Sequence, residues 1–83
     1  MQYTYRTSGT CSRAIEIETD DEGVIRSVRF QGGCSGNTQG VSRLVEGRKA
    51  DEVIKTLKGI RCGMRPTSCP DQLARALEQM TKQ

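Results

Sequence analysis

Four cysteines and no histidine, in a chain too short and too poor in aromatics to build a deep core, constrain this fold more than any other feature. The cysteines are Cys11, Cys34, Cys62 and Cys69. Eighty-three residues with one phenylalanine, two tyrosines and no tryptophan make a single domain, 1–83, of marginal stability. Small scaffolds of this kind add a metal, a disulfide or a partner subunit. The N-terminal residues Met1 to Arg6 form no apolar signal region, and no run reaches the length of a transmembrane helix. The expectation is a cytoplasmic protein with no membrane role, where thiols stay reduced and cysteines read as metal ligands or reactive groups before disulfides.

Hydrophobic periodicity orders the chain. Tyr3 to Thr7 alternates aromatic and polar residues, and Ala14 to Glu18 places Ile15 and Ile17 on one face. Asp20-Asp21-Glu22-Gly23 is a turn, and Val24 to Phe30 follows as a third strand, with Val24, Val28 and Phe30 expected inward. The period then changes. Val41, Leu44 and Val45 mark an amphipathic helix that stops at Gly47. A second helix starts near Ala50 and turns Val53, Ile54 and Leu57 inward, with Gly59 as its C-cap. The last helix has Ser68 as N-cap, Pro70 in the first turn and Asp71 three residues after the cap. Its stripe is Leu73, Leu77 and Met80. Strands first and helices after predict an α+β fold: a three-stranded antiparallel meander followed by three helices packed on one face.

All four cysteines fall on loops or element ends rather than on an apolar stripe, which favours function over packing. A helix N-terminus favours a thiolate, and Cys69 occupies that position. The intervals of 22, 27 and 6 residues contain no C-x-x-C pair, so a zinc ribbon, a thioredoxin motif and a ferredoxin run are disfavoured. Any site would be assembled by the fold from distant loops. Three readings stay open: metal ligation, redox or persulfide chemistry, and unrelated free thiols. Gly32, Gly33 and Gly36 lack the spacing of a phosphate loop and serve a tight strand-to-helix turn. Ser68 and Asp71 read as a helix cap rather than a catalytic pair, and no imidazole is present to activate a nucleophile. The net charge of +3 is spread along the chain, which argues against nucleic acid as a partner.

Thr67-Ser68-Cys69-Pro70-Asp71 spells the signature of the TSCPD domain family. Phe30-Gln31-Gly32-Gly33-Cys34-Ser35-Gly36-Asn37, Leu44-Val45-Glu46-Gly47 and Leu57-Lys58-Gly59-Ile60-Arg61-Cys62 resemble that family in the same order. The family includes small stand-alone proteins and modules in the C-terminal part of adenosylcobalamin-dependent (class II) ribonucleotide reductases. The resemblance implies an accessory module to ribonucleotide reduction, with a ribonucleoside-diphosphate reductase or another protein as partner. It does not carry over the catalytic activity, because the reductase barrel cannot fit in this length.

A fainter resemblance is to iron–sulfur cluster scaffold proteins. It runs through Thr10-Cys11-Ser12, Ile15-Glu16-Ile17, Gly33-Cys34-Ser35 and Cys69 with Leu73-Ala74. It implies convergence of Cys11, Cys34 and Cys69 at one end of a scaffold-like domain. Scaffolds follow the first cysteine with Gly-Asp, whereas this chain has Ser12-Arg13 and gains Cys62. The resulting expectation is a metal centre on Cys11, Cys34, Cys62 and Cys69, holding zinc, iron or an iron–sulfur cluster. The alternatives are a sulfur or cluster carrier using Cys11, Cys34 and Cys69, and an interaction module that completes its core as a homodimer.

Overall fold

In the computed structural model, which describes residues 1–7, 9, 12–32, 35–61 and 63–81, three strands precede three helices. They are β1 (Gln2–Arg6), β2 (Ser12–Thr19), β3 (Ile25–Gly32), α1 (Ser35–Val45), α2 (Ala50–Leu57) and α3 (Cys69–Thr81). The sheet is antiparallel with β2 in the centre, the meander that the alternating residues predict. Cross-strand register places Tyr5, Ile15 and Phe30 in one row and Tyr3, Ile17 and Val28 in the next. Both rows face the helices and form the core with Ile25, Val45, Val53, Leu73, Leu77 and Met80. On the other face, Glu16 and Arg29 pair across the strands, and Glu18 is exposed.

The expectation for β3 needs one correction. Ile25, not Val24, enters the core and is fully buried. Register slips between Glu18 and Thr19, so that Thr19 pairs with Ile25 while Glu18 pairs with Ser27. This bulge inserts Arg26 as an extra residue and turns Ile25 to the same face as Val28. Val24 instead makes a backbone bridge to Lys49. The link between α1 and α2 thereby lines the start of β3, with Gly47 N–H donating to the Ile25 carbonyl at 2.8 Å and Ile25 N–H to that of Arg48 at 2.9 Å.

Helix α1 packs on β3, and α3 packs chiefly on α2 while touching β2 and α1. Leu44 departs from the expected stripe of α1 and is 71% exposed. The buried arc is set by Thr38, Val41 and Val45, and at about 100° per residue Leu44 falls well off its centre. Helix α2 buries Ala50 and Val53 with Ile54 and Leu57 partly covered, as its spacing predicts. It ends differently from a glycine-capped helix. Lys58 is extended (φ −64°, ψ 133°) and Gly59 has φ +89°, with Ile60 N–H donating to the Leu57 carbonyl at 3.3 Å. That is a type II turn, whose third position requires the left-handed φ that glycine adopts without strain. Among the described residues no helix is long and apolar enough to cross a membrane.

Candidate functional site

The signature segment Thr67 to Asp71 is buried apart from the half-covered Pro70, and its side chains tie three separate parts of the chain to the start of α3. Ser68 is the N-cap that the sequence predicts. Its Oγ accepts the Asp71 N–H at 3.2 Å, and the Gln72 N–H donates to its carbonyl at 2.8 Å. The same Oγ donates outward to the Ile60 carbonyl at 2.7 Å.

Asp71 does more than the capping pattern implies. It is fully buried; one carboxylate oxygen accepts the Gly59 N–H at 2.7 Å. The other accepts the Thr67 hydroxyl and, at 2.9 Å, the Arg75 Nε–H. Burial alone would raise the Asp71 pKa. The bonds from Thr67, the Gly59 amide and Arg75, with the guanidinium charge, outweigh that and hold the carboxyl below its ordinary value. Hydrogen bonding to Asp71, then its charge, raises Arg75 in turn. Thr67 Oγ1 also accepts from Gln72 Nε2 at 3.0 Å, so its rotamer is fixed from both sides. A Cβ at Gly9 would come within 2.8 Å of the Thr67 methyl, and Gly9 itself has φ +76°. Only glycine allows this backbone approach.

Cys69, at the first position of α3, is a free and buried thiol. Its Sγ lies 3.3 Å from Ser12 Oγ. A second bulge produces this contact: Ser12 pairs with Gly32 and Ala14 with Gln31, leaving Arg13 as the extra residue. Without it Ser12 would share the outer face with Ala14, Glu16 and Glu18; with it, Ser12 turns toward α3. Thr7 Oγ1 donates to the Ser12 carbonyl, and Thr7 N–H to that of Arg13 at 3.1 Å. These bonds close the loop between β1 and β2.

Of the four predicted ligands, Cys69 is the one whose surroundings are described; Cys11, Cys34 and Cys62 lie outside the described residues. Among the described residues no three or more His, Cys, Asp or Glu side chains stand where they could hold a metal. The residues flanking each cysteine are described, however. Cys11 lies between Gly9, which abuts Thr67, and Ser12, which touches Cys69. Cys34 follows Gly32, the cross-strand partner of Ser12, by two residues. Cys62 follows Ile60, bonded to Ser68, by two residues. Sequence reasoning did not single out Gly9 or Arg75, and it named Ser12, Gly59 and Thr67 only within motifs or as a helix cap, not for these contacts. The one local signal available was the Asp71–Arg75 spacing of i, i+4.

No curated protein and no solved structure matches this chain. A family model described as the TSCPD domain matches residues 2–81. The segment that organises the site is the one that spells this signature, and the chain belongs to the TSCPD domain family.

Proposed function

We propose that this TSCPD domain is an accessory module in which Cys11, Cys34, Cys62 and Cys69 bind one metal centre. One observation carries the reading: the segments flanking Cys11 and Cys62 are both fastened to the Thr67–Asp71 segment that contains Cys69. Gly32, two residues before Cys34, pairs with Ser12 at the same sheet end. Successive Cα atoms are about 3.8 Å apart, so a cysteine one or two residues from such an anchor stays within roughly 8 Å of it. The close approach of Gly9 to Thr67, the Ser12–Cys69 contact and the bonds from Gly59 and Ile60 to the signature segment support a shared thiol site as the purpose of the arrangement.

The donor chemistry fits. A set made only of thiolates suits zinc, iron or an iron–sulfur cluster, and the absence of histidine leaves no nitrogen ligand from a side chain that these metals favour. A closed four-thiolate zinc site would add folding free energy to a thin core, which favours zinc over the redox centres. The accessory role rests on resemblance to the C-terminal module of class II ribonucleotide reductases, with such a reductase or another protein as partner.

The test is metal analysis and the visible spectrum of full-length protein purified without oxygen. About one zinc per chain and no colour is expected. Brown protein with iron and sulfide would replace zinc with a cluster on the same ligands. Protein free of metal, with all four thiols open to titration, would overturn the reading.

A further inference from the structure

We infer that two copies of this chain pair through the outer edge of β1, antiparallel and centred on Thr4, and join their two three-stranded sheets into one. The inference uses no cysteine and stands apart from the metal reading. β1 ends the sheet on one side, and among the described residues no strand pairs with its outer edge. Met1 and Thr19 exchange both backbone bonds, at 2.7 and 2.9 Å, and Thr7 N–H donates to the Arg13 carbonyl at 3.1 Å. Hydrogen-bonded pairs alternate along an antiparallel ladder, so Tyr3 and Tyr5 also turn their backbone groups to β2. Those of Gln2, Thr4 and Arg6 point the other way, in a row that suits another strand.

Edge strands are guarded against such pairing by proline, lysine, a bulge or an inward charge. β1 reads Gln2-Tyr3-Thr4-Tyr5-Arg6 and has none of these. Its one charge, Arg6, stands at the end of the strand on the outer face, and its tyrosines and threonine favour a strand. The opposite edge of the sheet is closed at its start, where the link between α1 and α2 bonds Ile25 at 2.8 and 2.9 Å.

The sequence of β1 selects a second copy as the occupant. It reads alike in both directions about Thr4, with a tyrosine on each side. Pairing Thr4 with Thr4 of the second copy matches all five residues of the strand. A shift by two leaves an end unpaired, and a shift by one turns the tyrosines to the wrong face. In the centred register each outward residue meets an outward residue. Tyr3 then stands opposite Tyr5 of the second copy, in the closer, non-hydrogen-bonded kind of pair. Both rings are half-buried against the core. The row Phe30, Ile15 and Tyr5 continues into Tyr3, Ile17 and Val28 of the second copy, which extends a thin core across the joint. The charges agree as well. Arg6 meets Gln2 of the second copy, whose neighbour on β2 is Glu18. Two strand spacings, about 10 Å, separate Arg6 from that acid, roughly one Debye length.

The test is sedimentation equilibrium of the full-length protein under reducing conditions over a range of concentrations, with circular dichroism to confirm folding. Wild type should dimerise. Thr4 is exposed, and Thr4→Lys or Thr4→Glu sets like charges opposite each other at the two-fold axis. Each variant should dimerise about tenfold more weakly, and an equimolar mixture of the two should recover the wild-type affinity. Leu44→Lys, in the apolar groove between α1 and α2, should leave the dimer intact. Wild type that stays monomeric, a dimer indifferent to Thr4→Lys, no recovery in the mixture, or a dimer lost only in Leu44→Lys overturns the inference. Where the Thr4 variants do not fold, amide exchange of wild type decides. The Thr4 N–H should exchange about tenfold more slowly at a concentration that favours the dimer than in dilute protein, while the Tyr5 N–H, paired with β2 in both, should not change. Equal exchange at Thr4 under both conditions overturns the inference.

Discussion

Ser12 Oγ and Cys69 Sγ lie 3.3 Å apart across 57 positions of sequence, and the Arg13 bulge is what turns the hydroxyl toward the thiol. Both side chains are buried, so their contact should be worth about 1 kcal/mol. In metal-stripped protein, Ser12→Ala and Cys69→Ala should each destabilise. The double variant should be less destabilised than the sum by about 0.5–1.5 kcal/mol. Urea unfolding of the four proteins measures this coupling, and a value near zero would mean that the pair is a mere neighbour contact.

One substitution should change sign with position. Gly9 has φ +76°, and an added Cβ would meet the Thr67 methyl at 2.8 Å. Thr67 cannot rotate away, because its hydroxyl is bonded to both Asp71 and Gln72. Gly9→Ala should cost about 1–3 kcal/mol. Adding Thr67→Ser, which deletes the methyl and keeps the hydroxyl, should recover part of that. Gly40 sits exposed inside α1 with nothing near its missing Cβ, and Gly40→Ala should stabilise by about 0.5–1 kcal/mol. Thermal melts of the four proteins check the order; equal effects at both glycines would contradict it.

The elements that local chemistry defines were legible in the sequence. Ser68, Pro70 and Asp71 announce the start of α3 because capping is settled within one turn, and alternation around Ile15 and Ile17 announces β2. The errors lie where the outcome depends on a partner strand or helix. Ile25 replaces Val24 because of a slip opposite Thr19, which no reading of β3 alone contains. Leu44 is exposed because α1 buries a narrow arc against β3. The site was half legible. The motif marked Cys69 and its surroundings, but the attachment of Asp71 to Gly59 spans 12 positions and has no local signature.

The core leaves little margin. Leu73 is fully buried and belongs to the core cluster with Ile15, Ile25 and Leu77. Leu73→Ala should cost about 2–5 kcal/mol, against a total near 4–12 kcal/mol for a chain of this length. The variant should melt lower by roughly 4–8 °C for each kcal/mol lost. Circular dichroism melts check this, and a shift under about 5 °C would place Leu73 in a site able to collapse around the cavity.

Acid should act through the turn between β2 and β3. One oxygen of Asp20 accepts both the Val24 and the Glu22 N–H groups at 2.9 Å. The Val24 bond is the largest influence. Together with the Glu22 bond and the charges of Arg26 and the N-terminus it outweighs desolvation and holds the carboxyl below its ordinary 3.8. A carboxyl depressed on folding contributes stability that is fully present above its unfolded pKa and is lost as pH falls through the folded one. Asp20→Asn keeps an acceptor for both amides and cannot titrate. Wild type should therefore lose its advantage over Asp20→Asn as pH falls below about 4, while the difference stays constant from about pH 5 to 7. Asp71, depressed in the same direction, is present in both proteins and cancels from the comparison. Urea midpoints across this range read the difference directly, and a gap that persists unchanged to about pH 2 would remove Asp20 from the acid response.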